Sequence, residues 1–524
     1  MKRHPVAAWA AVVFISIFCG LLWLHGNRIV MSNDEGIILD AATRMLHGQA
    51  PYRDFFTYMS PGSYWLQEAA FAIFGVSLRA GRVPVIFDFA LECALLFWLT
   101  ARLAGRKAAG AVLFLFFAIQ ATTPEFLLAQ HRMDSAGLSL ASIALCLEGR
   151  MRAKWGYWAS GGLAIAAAAI CTPTIALIAA ATLIWLIAEP PLRRFLLPYG
   201  CGLGAGAAAI VTALAASGIL IPFLKQMLWL GRNYTELNVM PYGWIIGGYG
   251  TALAGATGTD LIIRPLLVFS VALPAVAPVV ALLGWGAAML ADPAKRRWAA
   301  NKAIPYLLAS MVLYVASTYP RADVAHLAFV GALPAVLVAV WLARCAPSWL
   351  ANSIFGVLAV SAGMFLAQTA AELRHEVAVS TPVGALQVRD SDAPALRALL
   401  AAVHPGDALY THPYRPLLYF LTKAQNPTRY SYLGPGLMTA ADEQIALAAL
   451  ENSPPKWLLY LPLSREEFLR VFPHATKLDH RFPAIEAWSR REYDAVNPAV
   501  IVGGYRLYER RAGSATPSLA ARAF

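Results

Sequence analysis

Four charged stretches carry the residues that could do chemistry: the adjacent acids Asp34 and Glu35, the pair Arg53 and Asp54, the run His131-Arg132-Met133-Asp134, and the run Arg321-Ala322-Asp323-Val324-Ala325-His326. Each sits between strongly apolar segments. A carboxylate at the rim of a water-filled cavity can stay ionised and accept a proton from a hydroxyl. Neighbouring positions point in different directions on a helix or a strand, so Asp34 and Glu35 are not a proton-sharing dyad. One would face a substrate while the other orients it or binds a cation; adjacent acids here also suit the cap of a helix running on from Gly36. In the third stretch, His131 and Asp134 share a face if a helix begins there, and the helix dipole favours a carboxylate at that end. Arg132 suits a phosphate or diphosphate, because a guanidinium offers a planar fork of donors. Asp323 and His326 repeat the three-residue spacing, with Arg321 beside them.

The elements that must position these groups follow from composition. The 524-residue chain is 59% hydrophobic and 14% charged, against about 25% charged residues in soluble domains. Apolar runs of about 20 residues, enough to cross the hydrocarbon as helix, recur to about residue 368 and stop. Eleven spans are expected, the first at Val6–Leu24 and read as uncleaved. Basic clusters follow the even-numbered spans: Arg102, Arg106 and Lys107; Arg150, Arg152 and Lys154; Arg193 and Arg194; Lys295, Arg296 and Arg297; then Arg344. That is the positive-inside pattern. It accounts for the net charge of +12 without a nucleic-acid partner, and it sends the four charged stretches to the opposite, extracytoplasmic face. Spans five and six are short and meet at Cys171-Thr172-Pro173-Thr174, a tight turn.

The expected architecture is a mainly α membrane protein. Residues 1–369 form the multispan part, with an amphipathic first outer loop at about 26–80, and 370–524 form an extracytoplasmic α/β domain able to fold by itself. In that domain the patterns give helices at Ala395–Val403, Ala440–Leu450 and from Ser464, and strands at Ala408–Thr411, Lys456–Leu461 and Val500–Glu509. The six cysteines lie in or beside spans and show no metal-ligand spacing. No P-loop, GxGxxG, GxSxG or HExxH appears, which disfavours ATP-driven and serine-hydrolase chemistry.

The run Asp34-Glu35-Gly36, Ala41, Leu46-His47-Gly48, Pro51-Tyr52-Arg53-Asp54-Phe55-Phe56, Ser60-Pro61-Gly62, Phe74-Gly75 and Arg82 resembles the opening of the GT-C membrane glycosyltransferases. It is similar in particular to the bacterial branch of protein O-mannosyltransferases and the lipid A aminoarabinose transferase. The runs at 131–134 and 321–327 match later stations of that pattern. The resemblance implies a multi-pass inner-membrane enzyme that moves a sugar from a polyprenyl-phosphate donor to a cell-envelope acceptor, with the bilayer as its medium. It implies Asp34 as the catalytic base and Asp134 as a second acid at the site, with Glu35 orienting Asp34 or holding a divalent cation. Substrate contacts fall to Arg53, Asp54, His131, Arg132, Arg321, Asp323 and His326. A basic residue usual in that family at the turn between spans five and six is replaced here by Thr172-Pro173, which shifts the phosphate contact to Arg132 and Arg321. A transporter or flippase of polyprenyl-linked glycans is the alternative from another class; the absence of an internal repeat argues against it.

Overall fold

The computed structural model describes residues 4–290, 303–434 and 437–512. Eleven helices stand where the eleven spans were expected: α1 (His4–His25), α4 (Leu78–Ala104), α5 (Arg106–Ala121), α6 (His131–Arg152), α7 (Trp155–Cys171), α8 (Leu177–Ala188), α9 (Leu196–Ala216), α12 (Asp260–Leu290), α13 (Ala303–Ala316), α15 (Ala332–Arg344) and α16 (Ser348–Leu373). Between them lie α2 (Asn33–Leu46) and α3 (Gly62–Phe74) in the first outer loop, α10 (Leu220–Asn238), and the short α11 (Tyr249–Leu253) and α14 (Val324–Ala328). Among the described residues five helices, including α1, α4, α12 and α16, are long and apolar enough to cross a membrane by themselves. The chain is a mainly helical, multi-pass membrane protein. The most apolar part of α4 is 67% buried, whereas that of α1 is 6% and that of α16 is 11% buried. So α4 is a central post, and α1 and α16 turn most of their surface to lipid.

The bundle core is continuous from Val85, Phe89 and Leu96 of α4 through Leu140 and Ile143 of α6 to Trp158, Trp185 and Leu337. Contacts at the helix ends separate two faces. Arg102 at the end of α4 reaches Glu148 at the end of α6 at 2.6 Å, and Arg150 approaches Glu189 beyond α8 at 3.8 Å. Arg344 at the end of α15 donates to the Leu103 carbonyl. The ends that carry basic clusters therefore meet on one side, as the charge pattern required. The cluster at 295–297 lies outside the described residues. The tight turn between α7 and α8 is also present, as a 3-10 turn at Pro173–Ala176.

The segment after α16 folds as a hairpin of β1 (Glu376–Thr381) and β2 (Gly384–Arg389), then a mixed sheet. In the sheet β3 (Leu409–His412) lies parallel to β4 (Trp457–Tyr460), and β7 (Tyr505–Arg510) runs antiparallel between β4 and β5 (Tyr493–Ala495). Helices α17 (Ala393–Ala402), α18 (Pro416–Thr422), α19 (Ala440–Asn452), α20 (Arg465–Val471) and α21 (Pro483–Glu492) connect and cover it. Thr439 and Ser464 form capping boxes at the starts of α19 and α20, each satisfying two of the N–H donors a helix start leaves open. The single final strand expected over Val500–Glu509 is instead a hairpin. Gly503 and Gly504, at φ +54° and +86°, turn the chain between β6 (Ile501–Val502) and β7.

The expectation of an independently folding C-terminal unit meets a shared core. Ile37, Ile38, Leu39 and Ala42 of α2 pack in one cluster with Leu386, Leu396, Leu417, Phe420 and Leu507. Arg28 pairs with Glu372 and Glu376 across the same seam, and Ile29 donates its backbone N–H to Gln387 at 3.0 Å. The close approach of α18 to α2 needs a residue without a side chain: a Cβ on Gly36 would lie on the backbone of Leu417. Gly36→Ala should accordingly cost about 1–3 kcal/mol through overpacking, read as a lower unfolding temperature in detergent. An unchanged unfolding temperature would show that the seam is soft.

Candidate active site

At the end of the bundle opposite the basic clusters is a cavity of about 870 Å³. Its walls come from the first outer loop, from the starts of α6 and α14, from the turn after α7, from α10, and from the C-terminal segment. Asp34, His131, Arg132, Arg321, Asp323 and His326 all line it, so three stretches far apart in sequence converge on one space.

Asp34 is in the first turn of α2, one residue from Glu35. Successive helical residues diverge by about 100°, and the two acids part accordingly. Asp34 reaches the cavity, where Gln130 Nε2 donates to its Oδ2 at 3.2 Å. It makes no ion pair among the described residues. Burial raises its pKa above the ordinary carboxylate value, while the Gln130 hydrogen bond and the charges of Arg321 and Arg132 pull it back. Such a group is ionisable yet proton-hungry, which is what a general base needs.

Glu35 turns the other way and is fully buried in a two-pronged ion pair with Arg82 of α4. Arg82 also donates to the carbonyls of His25 and Arg28 at 3.2 Å each. Both Glu35 oxygens are thus taken by a guanidinium, and Glu35 does not line the cavity. Its placement suits holding α2 against α4, and the Ala129 N–H, 3.4 Å from Glu35, carries that hold to the residue before Gln130. The divalent cation considered for Glu35 has no open oxygen there. Among the described residues no group of three His, Cys, Asp or Glu is arranged to hold a metal.

Arg132 and Arg321 differ. Arg321 Nε donates to Asp323 Oδ2 at 2.9 Å, its Nη1 to Asn238 Oδ1 at 3.3 Å, and its guanidinium lies 5.4 Å from the Phe472 ring centre. Arg132 makes no ion pair among the described residues, and its Nε is buried without a hydrogen-bond partner. A half-buried cation without an ion pair, one of its N–H groups sealed and unmatched, gains when an anion arrives. Arg132 is therefore the stronger candidate for a phosphate.

Asp323 caps α14 by accepting from the His326 N–H at 2.9 Å, and its Oδ1 also lies 2.7 Å from His326 Nδ1. Burial opposes the Asp323 charge, but these bonds and Arg321 outweigh it and hold the carboxyl below the usual range. Burial, aided by Arg132, lowers the His326 pKa to about 4, so the ring is neutral at pH 7. With Nδ1–H given to Asp323, Nε2 is left as an acceptor. His131 Nδ1 lies 3.0 Å from the Thr172 hydroxyl, which itself donates to the His131 carbonyl at 3.0 Å. Thr172 and Pro173 line the cavity at the place where a basic residue was missed.

Besides Glu35, three further sequence candidates lie off the cavity. Asp134 is 3% exposed and off the cavity wall. Three residues along α6 carry it about 4.5 Å deeper than His131, where it comes under the influence of Asp88 and Ser63. Arg53 and Asp54 bind each other through two hydrogen bonds of 3.0 and 2.9 Å on the exposed side of the loop. Asp54 also accepts from the Ala50 N–H at 2.7 Å, so the pair closes its own turn.

Gln130, Tyr414 and Tyr432 also line the cavity, with little in the sequence to mark them. Gln130 was the polar neighbour of a motif already noticed, and that was its only signal. Tyr414 and Tyr432 lie in irregular segments of the C-terminal unit and are paired by an isolated bridge; no periodicity points to them.

A multi-pass membrane bundle with an acid-and-arginine cavity at one end defines the class. Within it, residues 59–217 match the family model described as dolichyl-phosphate-mannose-protein mannosyltransferase. The resemblance to lipid-phosphate-sugar glycosyltransferases, read from the first outer loop, is borne out by that match. The similar solved structures include ArnT from Cupriavidus metallidurans bound to undecaprenyl phosphate, at 13% identity and TM-score 0.43, covering 97% of this chain and 98% of that one. Apo ArnT from the same organism gives 14%, 0.42, 96% and 97%. The Archaeoglobus fulgidus oligosaccharyltransferase, in complex with zinc and sulfate, gives 14%, 0.45, 87% and 67%. No residue of this chain is assigned from these distant likenesses. Among curated proteins no match was found.

Proposed function

We propose that this protein is an integral membrane glycosyltransferase that takes a sugar from a polyprenyl-phosphate carrier and transfers it to a cell-envelope acceptor. Residues 1–369 carry the reacting groups, and 370–524 form the unit that closes over them. The basic face lies in the cytoplasm and the cavity opens on the other side of the inner membrane, in keeping with the positive-inside rule. The observation that carries the reading is that Asp34 and Arg132, neither in an ion pair among the described residues, line one cavity at the rim of a membrane bundle.

In this scheme the acceptor hydroxyl gives its proton to Asp34 as its oxygen attacks the sugar's anomeric carbon. The bond from that carbon to the phosphate oxygen breaks, and the phosphate leaves with the electron pair. Arg132, with Arg321 behind it, stabilises the charge gathering on that phosphate. The matched family is a transferase family, which favours this over the flippase reading.

Two measurements test it. Mass spectrometry of envelope glycans and glycoproteins, with and without the protein, should show a sugar missing in its absence; unaltered glycans would sink the proposal. In purified protein, Arg132→Ala should weaken binding of undecaprenyl phosphate by roughly 10–100-fold, the scale of a lost hydrogen bond to a charged group. Arg132→Lys should recover part of this, because an ammonium lacks the fork. Arg321→Ala should do less, since Asp323 already offsets its charge. Undiminished binding by Arg132→Ala would remove Arg132 from the phosphate site.

A further inference from the structure

Four tyrosines surround Asp34 in the cavity: Tyr58 from the first outer loop, Tyr234 from α10, and Tyr414 and Tyr432 from the C-terminal unit. Their rings form a continuous wall. Tyr58 and Tyr234 are 6.5 Å apart at 25° between planes, Tyr58 and Tyr432 are 5.6 Å apart, and Tyr414 and Tyr432 are 4.7 Å apart. The Asp34 charge acts on all four hydroxyls. Three buried tyrosines bond their hydroxyls to protein: Tyr52 to the Met59 carbonyl at 2.6 Å, Tyr419 to the Thr411 N–H at 2.8 Å, Tyr505 to the Tyr414 carbonyl at 2.6 Å; Tyr199 and Tyr410 are sealed in the core without a partner among the described residues, away from the cavity. Among the described residues none of the four wall tyrosines has such a bond, and none of their hydroxyls is sealed from the cavity.

Four ring faces with four free phenol hydroxyls around one carboxylate match a ligand that has both apolar C–H faces and many hydroxyls. A buried tyrosine ordinarily finds a partner for its hydroxyl, and here that partner would have to be supplied from outside the protein. We infer that Tyr58, Tyr234, Tyr414 and Tyr432 form a subsite for a sugar ring, and that the C-terminal unit, through Tyr414 and Tyr432, helps to choose which sugar is accepted. This rests on the glycosyltransferase reading. The ring is either the one on the lipid donor or one on a glycan acceptor.

The test uses the full chain in lipid nanodiscs with Tyr414→Phe and Tyr432→Phe, which keep the rings and remove one hydroxyl each. The probes are undecaprenyl phosphate, a panel of undecaprenyl-phosphate-linked hexoses and pentoses, and free methyl glycosides and oligosaccharides. Wild type should bind one of the sugar-bearing probes more tightly than its sugar-free counterpart. Each Phe variant should lose at least about fivefold of that preference while binding undecaprenyl phosphate within twofold of wild type. Loss confined to the lipid-linked sugars places the donor ring at the wall; loss confined to free glycans places the acceptor there. If no probe gains affinity from its sugar, or if both variants keep the full preference, the inference is overturned. Equal loss on sugar-bearing and bare carrier also overturns it, since the tyrosines would then serve the phosphate or the packing. Failure of wild type to bind undecaprenyl phosphate at all would instead count against the glycosyltransferase reading itself.

Discussion

Asp34→Asn should lower sugar transfer by roughly 10²–10⁴-fold, the scale of a lost general base, while undecaprenyl phosphate binding changes little. The amide keeps the size of the carboxylate and can still meet Gln130, but it cannot take a proton. In wild type the acid limb of kcat/KM should lie above the ordinary carboxylate pKa, because burial raises Asp34. Activity is lost as pH falls through that limb, since the protonated acid is no base. The limb should be missing from the residual activity of Asp34→Asn. In Arg132→Ala it should move further up, because Arg132 is one of the charges holding the Asp34 pKa down. A purified Asp34→Asn protein with wild-type turnover would make α2 a structural element and send the search for a base to Asp323 or His326.

The second large effect is on stability. Arg82→Met should destabilise the protein by about 3–5 kcal/mol, the usual penalty for leaving one member of a buried ion pair alone. Glu35 is fully buried and would lose both prongs of its partner, and the carbonyls of His25 and Arg28 would lose their donor. That loss is a large part of the net stability of an ordinary domain. Thermal unfolding in detergent should show it as an early transition, and transfer should fall with it although neither residue lines the cavity. The double variant Glu35→Leu with Arg82→Met should recover part of the loss, since an apolar pair leaves no orphaned charge. A double variant as unstable as the sum of the singles would show that the pair is uncoupled.

The hydropathy of the chain made the eleven helices legible, and the alternation of basic loops made the two faces legible, because both depend on local composition. The four charged stretches were legible for the same reason: ions between apolar runs stand out. What composition could not convey was which way each side chain turns. Glu35 and Asp134 are acids like Asp34, but one helical step turns Glu35 into Arg82, and on α6 Asp134 sits a turn deeper than His131, below the cavity. Arg53 and Asp54 looked like substrate contacts and close their own turn instead. In the C-terminal unit, β3, β4 and the capped helices α19 and α20 followed from apolar runs and capping signals. The hairpin of β1 and β2, helix α21 and the turn at Gly503-Gly504 were missed, because edge strands and short half-exposed helices carry weak periodicity. Tyr414 and Tyr432 owe their role to tertiary placement alone.

The seam between α2 and α18 also orders events in time. The apolar side of α2, with Ile37, Ile38 and Leu39, is covered in part by Phe71 and Leu78 close by in the chain, and in part by Leu386, Leu417 and Leu507, which come much later. At about 5–20 residues per second of synthesis, roughly 20–90 s separate the emergence of α2 from that of β7. Throughout that interval an amphipathic helix bearing the proposed base stands at the membrane surface without its lid. The newborn chain therefore holds the proposed base in an unfinished chamber until β7 has emerged.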